Sequence, residues 1–355
     1  MYQIGSAIVY AQTVEDSALQ QIAEIESSVI GGASAHIRIM PDCHSGKGCV
    51  IGTTMHVCDK VIPSVVGVDI GCGVLAYHIA DVLLHEDILA LDAFCSSSVY
   101  AGRKVREFPL ADCGLDLLRQ LYCYDSLGSV DYLARSLGTL GGGNHFIELD
   151  VSFDGSHWLM VHSGSRHLGV EVAKYYQDFA DEYGYIEGEL LAHYLHDIDL
   201  CQQWAHRSRV AILDDIVKGL GWSVTDSLES VHNYIDVDEM ILRKGAISAH
   251  YGESCLIPLN MRDGVLLCVG RGSEEWNYSA PHGAGRLMSR GRAKKEISLD
   301  AFVESMSHIV SSSVSVSTLD ESPFAYKDYQ EIISIVGDTV EIVERLLPVF
   351  NFKAS

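Results

Sequence analysis

The alternation of apolar and polar positions along the chain predicts a mixture of helices and short strands. From Glu15 to Ile30 the apolar residues Leu19, Ile22, Ile25 and Val29 recur at helical spacing, so this stretch reads as an amphipathic helix. Residues 37–40, 49–55, 65–68 and 74–79 are short β-branched or apolar runs separated by glycine, and they read as strands with tight turns between them. Residues 170–183 and 189–219 carry helical periodicity, and residues 256–259 and 265–269 return to strand. The Ser-rich run 311–317 alternates with Val at period two and reads as a further strand. Residues 329–347 read as a closing helix with Ile332, Ile333, Val336, Val340 and Val343 facing inward. No internal repeat or linker interrupts the pattern. It implies a single α+β domain over residues 1–355, with mixed strands surrounded by helices.

The composition is 48% hydrophobic, enough for a large core. A formal net charge of −23 excludes sequence-independent adhesion to nucleic acid over the whole surface. The basic residues are bunched, however. Arg286, Arg290, Arg292, Lys294 and Lys295 follow one candidate site and are placed to meet phosphates, whereas Arg103, Lys104 and Arg106 read as a solvated face. Ten cysteines occur without a Cys-x-x-Cys pair, the usage of reduced thiols. No apolar run is long enough to span a bilayer, and the first residues lack the basic and apolar regions of a secretory signal; a cytoplasmic location is the default expectation.

Candidate chemistry is concentrated in glycine-rich segments. In Ser279-Ala-Pro-His-Gly-Ala-Gly-Arg286, small neighbours leave His282 open, and Arg286 is expected to clamp a phosphate beside it. That combination suits attack on a phosphoryl group. Upstream, Asp69 and Cys72 sit three residues apart in a turn, and His145, His162 and His232 each border an apolar β-branched stretch. A thiolate with imidazoles and one carboxylate suits a borderline divalent ion such as zinc or manganese. By spacing alone each histidine is more often a hydrogen-bonded structural residue than a ligand. His193, His196 and His206, among Leu and Ala on a helix, are read that way.

Six segments occur together in one order: 40–48, 67–73, 141–148, 162–166, 232–234 and 279–286, with Glu321-Ser-Pro-Phe-Ala-Tyr-Lys-Asp328 following. In this the chain resembles RtcB-type RNA-splicing ligases, from about Met40 to Lys353. The resemblance implies that fold, with strands lining a central metal cleft, and a GTP-dependent ligase joining an RNA 3′-phosphate or 2′,3′-cyclic phosphate to a 5′-hydroxyl in RNA repair or tRNA splicing. It implies two Mn²⁺ ions bridged by Cys72, one completed by Asp69 and His145, the other by His162 and His232, with zinc as an alternative occupant in isolated protein. His282 would attack the GTP α-phosphate and carry GMP. Asn144, Glu148, Asn233, Gly283, Ala284, Gly285 and Lys353 match nucleotide contacts, beside the metal ligands His145 and His232. Asp42 and His44 fall in the first motif, where they would support the metal shell. Partners implied are RNA ends, GTP and an activator protein.

The chain departs from the common pattern in the segment Ile257-Pro-Leu-Asn-Met-Arg-Asp-Gly264, where long-form members carry a loop of small residues. Pro258, Asn260 and Met261 would lie against the nucleotide there. The chain is also shorter than those enzymes, chiefly between His162 and His232, and reads as a compact paralogue. Two rival classes stay open: a metal phosphoesterase that opens cyclic phosphates without ligating, and an inactive RNA-end-binding module. The nucleotide-carrying position His282 argues against the first, and the presence of both His282 and Cys72 against the second.

Overall fold

The computed structural model describes residues 1–354. Alternation along the strands Phe146–Val151 and His157–Ser163 sorts their side chains onto opposite faces. Ile147, Leu149, Leu159 and Val161 are completely buried on one face, against Ile212, Leu213 and Ile216 of the helix Gly188–Leu220 and against Leu91 and Cys95 of the helix His85–Ser98. The opposite face carries Phe146, Met160 and, from the neighbouring strand Gly73–Ile79, Val74 and Ala76. Glu148, Asp150 and His162 belong by parity to this second face. Its apolar floor is therefore also the wall of the candidate site.

These strands form part of a seven-stranded sheet whose order is Val224–Val231, Gly73–Ile79, His157–Ser163, Phe146–Val151, Val340–Lys353, Gly264–Gly270 and Ser254–Asn260, all neighbours antiparallel. A six-stranded sheet runs Tyr2–Ile4, Ala7–Val9, Arg38–His44, Ile51–His56, Ile241–Lys244 and Asn233–Asp236. Its core packs the helices Arg166–Tyr183 and Gly188–Leu220 through Val172, Tyr176, Ile198 and Trp204. One sheet ends at Val231 and the other begins at Asn233, so His232 is the single residue at the joint.

The α+β reading holds, with the helix Asp16–Ser27 and the strands near residues 38, 51, 73, 254 and 264 close to their predicted places. Val29 lies beyond that helix and is 50% exposed. Three elements differ. Residues 63–66 form a helical turn started by Pro63, rather than a strand. Residues 311–317 are turns leading into the 3₁₀ segment Val316–Glu321. There Ser313 bonds both the N–H and the C=O of Lys353, and the Ser315 and Thr318 side chains cap one another's backbone, diverting these hydroxyls from a ladder. The closing helix stops at Ile335, passes through a 3₁₀ turn at Val336–Asp338 and gives way to the 14-residue strand Val340–Lys353. Gly337 and the β-branched Val340, Ile342 and Val343 oppose continuation of the helix, and Pro348 would break it outright. Val343, expected inward, is exposed. Among the described residues no helix is long and apolar enough to cross a membrane.

Candidate active site

The turn carrying Asp69 and Cys72 lies where the two sheets meet. Gly71 adopts φ +71°, and a Cβ there would stand 2.9 Å from the backbone of Gln202, so the turn packs directly on the long helix. The Gly71 amide donates to the Asn233 carbonyl at 2.7 Å and the His232 amide to the Cys72 carbonyl at 2.9 Å, locking turn and joint together. Beneath them Arg209, fully buried, donates to the carbonyls of Gly71 and Ser163, both at 2.7 Å, and to Glu229 at 2.7 Å. The sequence offered no sign of this brace, since an arginine within an apolar helix reads as a solvated position.

Above the brace the ligand atoms converge. Cys72 Sγ lies 3.2 Å from His162 Nε2 and 3.5 Å from His145 Nε2. His162 Nε2 is 3.2 Å from His232 Nε2, and His145 Nε2 is 3.0 Å from Asp69 Oδ2. The Nδ1 atoms of His145 and His162 face the carbonyls of Leu140 at 2.9 Å and Asn144 at 3.3 Å. Those carbonyls demand Nδ1–H, which leaves both Nε2 lone pairs directed into the cluster, the arrangement a metal-ligating histidine requires. Burial and the neighbouring imidazoles push His162 and His232 well below the ordinary histidine range, so they are neutral donors. Burial and the Asp69 charge push the Cys72 thiol well up. A thiolate there needs a cation beside it, so the donor set fits a divalent metal. Cys72, His145 and His162 are the tightest of these donors.

His282 stands at the edge of this cluster, its ring centroid 4.9 Å from that of His232. Its Nδ1 is 2.6 Å from Asp42 Oδ2. Asp42 is wholly buried and neither its oxygens nor His282 Nδ1 has another partner, so this close approach favours the tautomer with the proton on Nδ1 and a lone pair on Nε2. Asp42 thus serves His282 rather than the metal shell expected for it. The approach is made possible by Gly285, at φ +76°, where a Cβ would lie 2.1 Å from the Asp42 carbonyl oxygen. Lys327 then holds the strand on both sides of Asp42, donating to the carbonyls of Pro41 at 3.0 Å, Cys43 at 3.2 Å and Thr13 at 3.1 Å. Replacing Asp42 by Asn should slow covalent modification of His282 by about a thousandfold. Bound metal, measured by elemental analysis, should stay at the wild-type level, because Asp42 touches none of the clustered donors.

A cavity opens beyond His282, lined by Asn144, Glu148, Pro258, Asn260, Met261, the Gly283–Gly285 turn and Lys353, together with His162 and His232. The structure therefore gathers most residues expected to meet a nucleotide. Asn233 is not on this wall: its amide donates to the Asp69 carbonyl at 2.8 Å, and it lines an adjoining cavity together with Asp69, Cys72, His232, Lys244 and His282. His145 is likewise absent from this wall and, besides facing the cluster, lines a cavity with Asp69, Arg103 and Arg166. Sequence reasoning missed Phe146, Tyr326 and Asn351 as cavity walls. The 259–263 segment spends its polar groups on itself, Asn260 donating to Asp263 at 2.8 Å and Arg262 pairing with Asp263 at 2.9 Å.

Charge in the cavity is organised by Glu321. Burial works against its anion, but Lys353 at 3.1 Å, Arg286 and Arg290 overcome this and hold its carboxyl below the usual range. Arg286 donates to the Asp320 carbonyl at 2.8 Å and pairs with Glu321, so its guanidinium is anchored to protein rather than free to clamp a phosphate. Arg292 and Lys294 pair with Glu296 and Asp320. His193, His196 and His206 face carboxylates at 3.9, 3.3 and 2.8 Å, outside the cluster. Burial pushes His44, beside the cavity, down to about 4.

A family model described as tRNA-splicing ligase RtcB matches residues 20–98 and 129–354. The chain is 31% identical to RNA-splicing ligase RtcB of Escherichia coli K12, an alignment covering 96% of this chain and 95% of that protein. It is 26% identical to the tRNA-splicing ligase RtcB of Nanoarchaeum equitans, over 96% of this chain and 92% of the other. A similar relation holds for tRNA-splicing ligase RtcB of Aeropyrum pernix, 26% identical over 93% and 90%.

Proposed function

Because the chain belongs to the RtcB family of RNA-splicing ligases, we propose that it joins RNA 3′-phosphate or 2′,3′-cyclic phosphate ends to 5′-hydroxyl ends through GMP carried on His282. One observation carries this reading above the others: His282 offers a lone pair, positioned by a buried Asp42, between a cysteine–imidazole cluster and a cavity walled by Glu148 and Lys353. Opening a cyclic phosphate needs only water activated at the cluster, not an imidazole that carries a nucleotide. We read the full length as one ligase domain working in the cytoplasm.

Asp69, Cys72 and His145, with His162 and His232, would hold two Mn²⁺ ions, which would draw charge off the triphosphate and the departing pyrophosphate. His282 Nε2 attacks the α-phosphorus and the bond to pyrophosphate breaks, forming a phosphoramidate. Asp42 holds the Nδ1 proton and balances the charge developing on the ring. Lys353 and the amides of the Gly283–Gly285 turn neutralise phosphate and ribose oxygens. Water would first open a 2′,3′-cyclic phosphate to the 3′-phosphate; that phosphate takes GMP from His282, and the 5′-hydroxyl then attacks its phosphorus and GMP leaves. An activator protein and RNA are the partners this cycle calls for.

Glu148 is the base-reading group in this scheme. A buried carboxylate accepts from the N1–H and N2–H of guanine, and adenine offers no such pair of donors. Incubation with labelled nucleotide and Mn²⁺ should therefore give protein-bound GMP in preference to AMP by at least about a hundredfold. Equal labelling by the two would sink the assignment of Glu148, and an absence of label from either would move the reading to hydrolysis.

A further inference from the structure

Asp150 is two residues beyond Glu148 on the same strand, and by parity the two carboxyl groups project from the same sheet face. It is completely buried, and neither carboxylate oxygen finds a donor. The surroundings on that face are Met160, Phe146, Val265, Leu346 and the partly buried Trp158. An ionised carboxylate with no donor in such a setting is strongly disfavoured, so Asp150 is a neutral acid with a proton to give. The acceptor within its reach is Glu148. Glu148 also accepts from the Asn351 amide across the strand pair.

We propose that Asp150 sets base choice in the nucleotide cavity: as a neutral acid it donates to Glu148 and keeps Glu148 an anion, the form that complements guanine. This rests on the reading of Glu148 given above. Each carboxylate oxygen has two lone pairs, so Asn351 and Asp150 can take inner ones and leave outer ones for N1–H and N2–H. A protonated Glu148 would instead complement adenine, donating to N1 and accepting from the amino group. The position of one proton thereby selects the base.

Burial raises both carboxyls, Asp150 the more because the Glu148 charge opposes a second anion; the Asn351 amide, Lys353 and the Asp150 hydrogen bond act in the opposite sense on Glu148. The other charged or titratable groups on the cavity wall are Glu321, Arg286, Tyr326, His44, His162, His232 and His282. As pH falls Glu148 gains a proton and guanine preference declines. Removal of the Asp150 donor should move that decline to higher pH.

The test labels the protein with equimolar GTP and ATP across a pH series and reads the ratio of bound GMP to AMP. Titration of His282 or of the metal donors acts on both nucleotides and cancels in the ratio. Asp150→Asn retains a donor and should follow the wild-type curve. Asp150→Leu should lower the ratio about tenfold at neutral pH, recovering toward wild type under alkaline conditions. A wild-type curve in Asp150→Leu overturns the proposal alone, whereas a wild type without guanine preference at any pH overturns it together with the role of Glu148. Infrared difference spectra give a second reading that does not depend on the leucine variant folding. A protonated carboxyl band should be present in the wild type above neutral pH and absent from Asp150→Asn, and its absence from the wild type refutes the neutral acid.

Discussion

His282→Ala is expected to form no covalent GMP adduct, and to lose ligation of RNA 3′-phosphate ends by at least about ten-thousandfold. The proposed chemistry passes through Nε2 of this residue, and no neighbouring group can replace it. His162 and His232 direct their Nε2 atoms into the cluster, only 3.2 Å from each other. His44 turns its Nδ1 to the Asp42 carbonyl at 3.0 Å. Metal content should be unchanged, since His282 pairs with Asp42 and not with the clustered donors. RNA already carrying GMP on its 3′-phosphate should still be sealed by the variant, because the nucleophile's part is finished by then. Gel analysis with labelled GTP and with pre-activated RNA checks both halves. An adduct that persists in His282→Ala would place the nucleophile elsewhere.

Cys72→Ala should lose metal and adduct together, with affinity for Mn²⁺ falling by about a hundredfold or more. Its sulfur lies between His145 and His162, and its backbone carbonyl receives the His232 amide, so the side chain is central while the main-chain tie survives substitution. The fold should therefore persist, and circular dichroism should show the wild-type content of helix and strand. Sealing of pre-activated RNA should fail here, which separates this variant from His282→Ala. Full metal occupancy in Cys72→Ala would remove cysteine from the ligand set.

The clustered donors were legible as candidates one at a time, but spacing alone did not join them into a set; the order of the six motifs did. Asp69 and Cys72 share one glycine turn, and His145 and His162 sit at strand ends that alternation locates. What was not legible depends on residues brought together from distant parts of the chain. Nothing near Asp42 announces that its carboxylate meets His282 rather than the cluster. Arg286 looked free for phosphate because its partner, Glu321, arrives from a separate segment. Asn233 follows His232 directly, yet its side-chain amide is taken up by the Asp69 carbonyl, from a distant turn. In the fold, residues 329–347 satisfied helical spacing through Ile332, Ile333, Val336, Val340 and Val343. The same residues from Val340 onward also satisfy a strand, and pairing with two waiting neighbours decided between them.

The placement of the strand Val340–Lys353 has a consequence for how the molecule is made. It is almost the last part of the described chain to leave the ribosome, yet it lies between Phe146–Val151 and Gly264–Gly270. Before it arrives the larger sheet consists of two unjoined pieces with open edges. The donors from Asp69 to His232 will already have been synthesised, so a nascent chain can gather its metal cluster early. The cavity cannot exist until Asn351 and Lys353 are in place. The cavity thus stays incomplete until this strand has been made and docked, while two exposed edges wait for it. That interval is when this protein is most open to mispairing with another copy.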